Sequence, residues 1–148
     1  MKTKKEYYDL AIIVVVIFFL DRLTKLLVIN NIALNESIEV TNFFSLTYWT
    51  NTGIAFGFFQ NANIVLTLVT IVVIGVICYY FKYLTKTKLS TVATSLILGG
   101  AFGNLADRFI YGAVIDFINF HFWPAFNVAD SAVTIGGILL AWTLWREK

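Results

Sequence analysis

Four stretches of this chain, residues 7–29, 64–81, 90–106 and 126–145, are almost entirely apolar. A helix needs roughly 20 mainly apolar residues to cross the hydrocarbon of a bilayer, and each stretch reaches or approaches that length. The first is interrupted late, by Asp21, Arg22 and Lys25; the second has no charge; serine, threonine and glycine dilute the third. Of the 148 residues, 59% are hydrophobic and 14% charged. Soluble domains carry about 45–50% apolar and about 25% charged residues, so a water-soluble fold of this length could not cover its own surface. The expected fold is one domain, 1–148, of mainly α membrane protein: a four-transmembrane-helix bundle.

Lysine and arginine set the expected orientation. Lys2, Lys4 and Lys5 precede the first span, Lys82, Lys86 and Lys88 separate the second and third, and Arg146 and Lys148 follow the fourth. The opposite loops, 30–63 and 107–125, hold only Arg108. The positive-inside rule then puts both termini in the cytoplasm and both long loops outside. The N-terminal lysines and apolar run resemble a cleavable signal peptide, but no small-residue cleavage site follows, so the segment reads as a retained span. A net charge of +2 is too small to imply a nucleic-acid partner. One cysteine, Cys78, and one histidine, His121, without HExxH, give no basis for a disulfide or a zinc site, and neither metal nor cofactor is expected.

The first outer loop has structure of its own. Apolar and polar residues alternate along 44–49, and Ile38 and Val40 alternate before it, which predicts a small extracytoplasmic β element. Residues 54–59 are apolar, aromatic and glycine-containing, as in a segment lying at lipid headgroups.

Charged side chains inside spans cost at least about 2.5–3.5 kcal/mol on insertion scales and normally serve function. Here they gather near the outer helix ends. Asp21 and Lys25 are four apart and able to pair; Asn104 and Arg108 repeat that spacing beside Asp107; Asn127, Asp130 and Thr134 share a face of the fourth span. Asp116 stands in the apolar run Val114-Ile115-Asp116-Phe117. Two carboxylates close together in a low dielectric cannot both ionise, so the pair shares a proton and can activate water. The alternative is that the aspartates pair with Lys25 and Arg108 and only hold the bundle together. Asp116 has no neighbouring cation in sequence. Asp107 could replace Asp116 in such a pair, although Arg108 beside it favours a permanently ionised, salt-bridged role.

The remaining polar and small residues read as structural. Gly99 and Gly103 form a G-x-x-x-G spacing, next to Gly100, that lets helices approach closely, and Gly136 and Gly137 are expected to do the same. Cys78 reads as inert core packing and His121 as an interfacial polar tip. Ser131 adjoins Asp130 but lacks a G-x-S-x-G elbow.

Five segments, in order, resemble the bacterial lipoprotein signal peptidases (signal peptidase II). They are Asp21-Arg22-Leu23-Thr24-Lys25; Asn51-Thr52-Gly53-Ile54-Ala55-Phe56; Gly99 through Arg108, with Gly103-Asn104 and Asp107-Arg108; Val114-Ile115-Asp116-Phe117; and Phe126-Asn127-Val128-Ala129-Asp130-Ser131. The resemblance implies an intramembrane aspartic endopeptidase, without metal, that cuts prolipoproteins before a diacylglyceryl-modified cysteine. It implies Asp116 and Asp130 as the catalytic pair, and Asn51, Gly53, Asn104, Arg108 and Asn127 as substrate or dyad support. Asp21, Lys25 and Asp107 become structural members of the network. It also implies a small β-cradle and a mobile helix over the site, which the strand at 44–49 and the segment 54–59 suit. Contacts with membrane lipid and a monomeric state are expected. Arg22, Thr24 and Phe102 depart from common family residues without touching the dyad, and the loop from Asp116 to Asp130 is short. The rivals are a proton or ion translocator, which needs polar residues spread through the membrane's depth, and a non-catalytic assembly factor that binds other helices by its glycine faces.

Overall fold

The computed structural model describes residues 4–53 and 62–146. In chain order the elements are α1 (Lys4–Asn31), β1 (Ser37–Thr41), β2 (Phe44–Asn51), α2 (Asn63–Tyr79), α3 (Phe81–Leu84), α4 (Lys88–Tyr111), β3 (Val114–Phe120) and α5 (Val128–Arg146). The segment 54–59 lies outside the described residues. Helices dominate, and a three-stranded antiparallel sheet of order β1-β2-β3 sits at one end of them. By length and composition α4 and α5 could cross a membrane; α2 is apolar but has 17 residues. The first helix is longer than expected, 28 residues, or about 42 Å at about 1.5 Å per residue. The second expected span stops at Tyr79, and the short α3 follows after Tyr80.

The third expected span, α4, also outruns its expected end at Ala106. It continues through Asp107 and Arg108 to Tyr111, because the Asp107 charge is neutralised inside the fold. Gly112 ends it in the left-handed conformation, φ 72°, with its N–H donating to the Arg108 carbonyl, a backbone shape that glycine adopts without steric penalty. Its start is a capping box between Thr87 and Ser90.

Two strands fall where alternation predicts them, and β3 was not predicted. Its sequence, VIDFINF, is β-branched and aromatic but hardly alternates, since its first four residues are all buried. A strand covered on both faces loses the period-two signal. In β2 it is the polar residues that turn inward: Ser45 and Thr47 are fully buried, Ser45 accepting from Asn119 Nδ2 at 3.1 Å. Leu46 and Tyr48 pack instead with Ile118 and Val128 around Val28, Ile32 and Phe117, which joins the sheet to α1 and α5.

Glycines let α1, α4 and α5 approach. A Cβ on Gly99 would lie 2.8 Å from Ile17 Cβ, one on Gly103 2.6 Å from Asp21 Oδ2, and one on Gly136 2.7 Å from the Ala93 carbonyl oxygen. Gly100 meets the Ala129 carbonyl more closely still. Gly137 does not share the expected role, since nothing lies within 4 Å of its Cβ position. Gly103→Ala is therefore expected to lower stability by about 1–3 kcal/mol, whereas Gly137→Ala is expected to be neutral or stabilising by about 0.4–1 kcal/mol. Thermal unfolding of the two variants in one detergent checks the contrast.

Candidate active site

The chain folds Asn127 into a position where a single residue holds two carboxylates. Asn127 immediately precedes α5 and caps it: its Oδ1 accepts the Asp130 N–H at 2.8 Å, while Asp130 Oδ2 accepts the Asn127 N–H at 3.2 Å. This is the reciprocal capping box of a helix N-terminus, with aspartate as its acid. The Asn127 side-chain amide is left to donate, and it reaches Asp116 Oδ1 at 2.9 Å, the Ile115 carbonyl at 3.2 Å and Asn104 Oδ1 at 3.2 Å. Asp116 and Asp130 are thus tied to one asparagine.

The other carboxylate oxygens are also held. Asn51, at the end of β2, donates to Asp116 Oδ2 at 3.0 Å. The β2–β3 register brings Asn51 opposite Val114, two residues before Asp116. Asn51 Oδ1 also accepts the Gly53 N–H at 2.9 Å, turning the chain beside the site. From α4, Asn104 Nδ2 donates to Asp130 Oδ1 at 2.7 Å.

Behind these lies a buried ion cluster. Lys25, Asp21 and Asp107 have no exposed surface. The Lys25 ammonium donates to Asp21 Oδ2 at 2.8 Å, Asp107 Oδ2 at 2.7 Å and Asn104 Oδ1 at 3.1 Å, which uses its three protons. Asp21 Oδ1 accepts the Ala129 N–H of the first turn of α5 at 2.9 Å, and Asp107 Oδ2 accepts the Ile115 N–H at 3.1 Å. The pairing of Asp21 with Lys25 is as the spacing predicts. For Asp107 the expected cation is the wrong one: its partners are Arg22 and Lys25, while Arg108 lines the cavity one residue away.

That cavity, of about 530 Å³, is bounded by Asn51, Gly53, Asn104, Arg108, Asp116 and Asp130. Val114, Trp123, Pro124, Phe126 and Ile135 add apolar walls. Every expected site residue is therefore at the cavity, in contact with its carboxylates or in the cluster behind it. Arg22, Thr134 and Ser131 were not among the expected site residues. The shared helical face of Asn127, Asp130 and Thr134 could have pointed to Thr134, and no local pattern points to Arg22. The Ser131 hydroxyl donates to the Asn127 carbonyl at 3.0 Å, a backbone role. His121 lies near Glu39 at 3.3 Å, just past the end of β3 and outside the cavity, and Cys78 is exposed on α2 rather than packed in the core as expected.

Burial raises the Asp116 carboxyl to about 7; the charge of Asp130 adds to the rise, and the Asn51 bond, Lys25 and Asn127 oppose it. At neutral pH Asp116 is poised to hold or release a proton beside a second carboxyl. Such a pair can take a proton from water and donate one to a carbonyl.

Residues 13–146 match the family described as signal peptidase (SPase) II. The chain belongs to the signal peptidase II family. It is 40% identical over 138 residues to the lipoprotein signal peptidase of Halothermothrix orenii, covering 93% of this chain and 95% of that one. To the lipoprotein signal peptidase of Burkholderia thailandensis it is 45% identical over 146 residues, 93% of this chain and 87% of that one. In structure it resembles a bacterial membrane enzyme solved by the in meso method at 2.3 Å, with a TM-score of 0.85 and 31% identity over 94% of this chain and 88% of that one. A second such enzyme, solved at 1.9 Å, gives 0.82 and 30% over 95% and 94%.

In this signal peptidase II one capping asparagine serves both carboxyls. Asn127→Ala would strip a donor from Asp116 and the cap from Asp130, each lost partner costing about 1–3 kcal/mol. A fall in the unfolding midpoint together with peptidase activity is expected, and calorimetry beside a cleavage assay measures both.

Proposed function

We propose that the chain is an intramembrane aspartic endopeptidase whose catalytic pair is Asp116 and Asp130. As a signal peptidase II it is a protease that removes signal peptides from prolipoproteins. The proposed cut falls before a cysteine that already bears diacylglycerol. The observation that carries this reading is the double hold of Asn127 on the two carboxyls at one cavity.

In the proposed mechanism a water lies between the carboxyls. The ionised member takes its proton as the oxygen attacks the carbonyl preceding the lipidated cysteine, and the protonated member donates to the carbonyl oxygen. The tetrahedral intermediate collapses when a carboxyl protonates the leaving amine. Asn51, Gly53, Asn104 and Arg108 orient substrate or dyad, and Asn127 orients both aspartates. Asp21, Lys25 and Asp107 keep the helices in register behind them. No metal or cofactor enters the scheme.

The four helices α1, α2, α4 and α5 are proposed as four spans of a single domain. The lysines put both termini and the segment around α3 in the cytoplasm, and the sheet and active site at the outer leaflet. Apolar side chains exposed along α1, α2 and α5, such as Val16, Phe19, Leu68, Val72 and Ile138, suit contact with lipid. Acyl chains of the substrate would lie in the bilayer, where burial is worth about 0.8 kcal/mol per CH₂ relative to water. The lipid therefore mainly orients a substrate already in the membrane. A monomer suffices, because one chain supplies both aspartates. The translocator alternative lacks support from α2, which has no charged residue.

The test is cleavage, in detergent, of two matched prolipoproteins, one diacylglyceryl-modified and one not, with the products weighed by mass spectrometry. Cleavage of the modified form alone, immediately before its cysteine, is the expected outcome; equal cleavage of both, or of neither, contradicts the reading. The pH profile gives a second check. The dyad needs its shared proton, so activity is expected to fall as pH rises through about 7. The Asn51 bond favours the ionised form of Asp116; Asn51→Ala removes it and is expected to move this alkaline limb to higher pH.

A further inference from the structure

Arg22 has no task in the proposed mechanism, although it lies against the buried cluster behind the site. Its guanidinium donates to Asp107 Oδ1, reaches the Tyr111 hydroxyl at 3.5 Å and lies 5.6 Å from the centre of the Tyr111 ring. The side chain is 12% exposed and Asp107 is fully buried. Arg22 thereby joins α1 to the last turn of α4, just before the chain enters β3.

The second oxygen of Asp107 has a different task. Oδ2 takes Lys25 at 2.7 Å and the backbone N–H of Ile115 at 3.1 Å. Ile115 immediately precedes Asp116, and its carbonyl receives Asn127 Nδ2 at 3.2 Å. One residue from the reacting carboxyl, the strand is therefore gripped from both sides, by Asp107 and by Asn127. A carboxylate is planar, so a donor fixed on Oδ1 sets the plane in which Oδ2 meets the strand.

We propose that Arg22 is a positioning residue for Asp116: by holding Asp107 Oδ1 it keeps Oδ2 on the Ile115 N–H and so fixes the Asp116 strand. Lys25 does not substitute for it. The ammonium is on the Oδ2 side and is shared with Asp21 and Asn104. Without Arg22, Oδ1 becomes a buried anionic acceptor with no donor among the described residues, and rotation of the carboxylate toward Lys25 satisfies it at the expense of Ile115.

The catalytic part of this inference rests on the proposed role of Asp116; the structural part does not, and the experiment separates them. Hydrogen exchange of the whole protein in detergent, read by mass spectrometry on a peptide covering 112–118, is compared for wild type, Arg22→Met and Arg22→Lys, with cleavage of lipidated prolipoprotein in parallel. In Arg22→Met, exchange in that peptide is expected to quicken about tenfold while α5 stays protected. A fall in kcat of about tenfold with KM changed less than about twofold is expected beside it. Arg22→Lys, which keeps a cation on Oδ1, restores both. Native exchange at 112–118 in Arg22→Met overturns the proposal, as does a quickening spread evenly over every helix, or a loss confined to KM. If Arg22→Met does not fold, Arg22→Gln takes its place with the same outcomes. A wild-type protein that cleaves nothing defeats the functional reading, while the exchange result still decides whether Arg22 holds the strand.

Discussion

One buried ammonium organises this molecule. Removing a lysine charge from water costs several kcal/mol, recovered only where the geometry is good and every proton has an acceptor. Lys25 meets that condition with Asp21, Asp107 and Asn104. Each acceptor then uses its remaining capacity elsewhere: Asp21 on the first turn of α5, Asp107 on β3, Asn104 on Asp130. The positions of α1, α4, α5 and the sheet are thereby coupled through one charge. Loss of that charge would leave two carboxylates buried together, a change of the class that costs about 3–5 kcal/mol.

The same network treats its four aspartates in two different ways. Asp21 and Asp107 are neutralised by cations at salt-bridge distance, while Asp116 and Asp130 receive amide donors instead. Amides orient a carboxylate without cancelling its charge. Burial beside Asp130 can then keep a proton on or near Asp116 in the neutral range. The partners of Asp21 and Asp107 thus differ in charge from those of Asp116 and Asp130, which is the physical basis of the different roles proposed for the two pairs.

Much of the site was legible in the sequence, for a physical reason. A charge in an apolar span is costly enough to stand out singly, so Asp21, Lys25, Asp116 and Asp130 marked themselves, and helical spacing paired Asp21 with Lys25. What stayed hidden depended on tertiary geometry. Successive residues on a helix do not face the same way, so Arg108, next to Asp107 in sequence, lines the cavity while Arg22, eighty-five positions away, holds the Asp107 carboxylate. The third strand was hidden because burial on both faces erased its alternation. The end of α4 was misplaced because a charge inside the fold looked like a charge in a loop. The capping box was hidden too: Asn127 and Asp130 have its spacing, but its link to Asp116 needs the fold.

The central claim is that Asp116 and Asp130 act as one unit. Single-turnover cleavage of a lipidated prolipoprotein by Asp116→Asn, Asp130→Asn and the double variant, each first shown to be folded, tests it most directly. Each single change should reduce the rate by about 10²–10⁴-fold or more, and the double variant should be little worse than either, as expected of groups that work together. A single variant that cleaves at the wild-type rate would contradict the account.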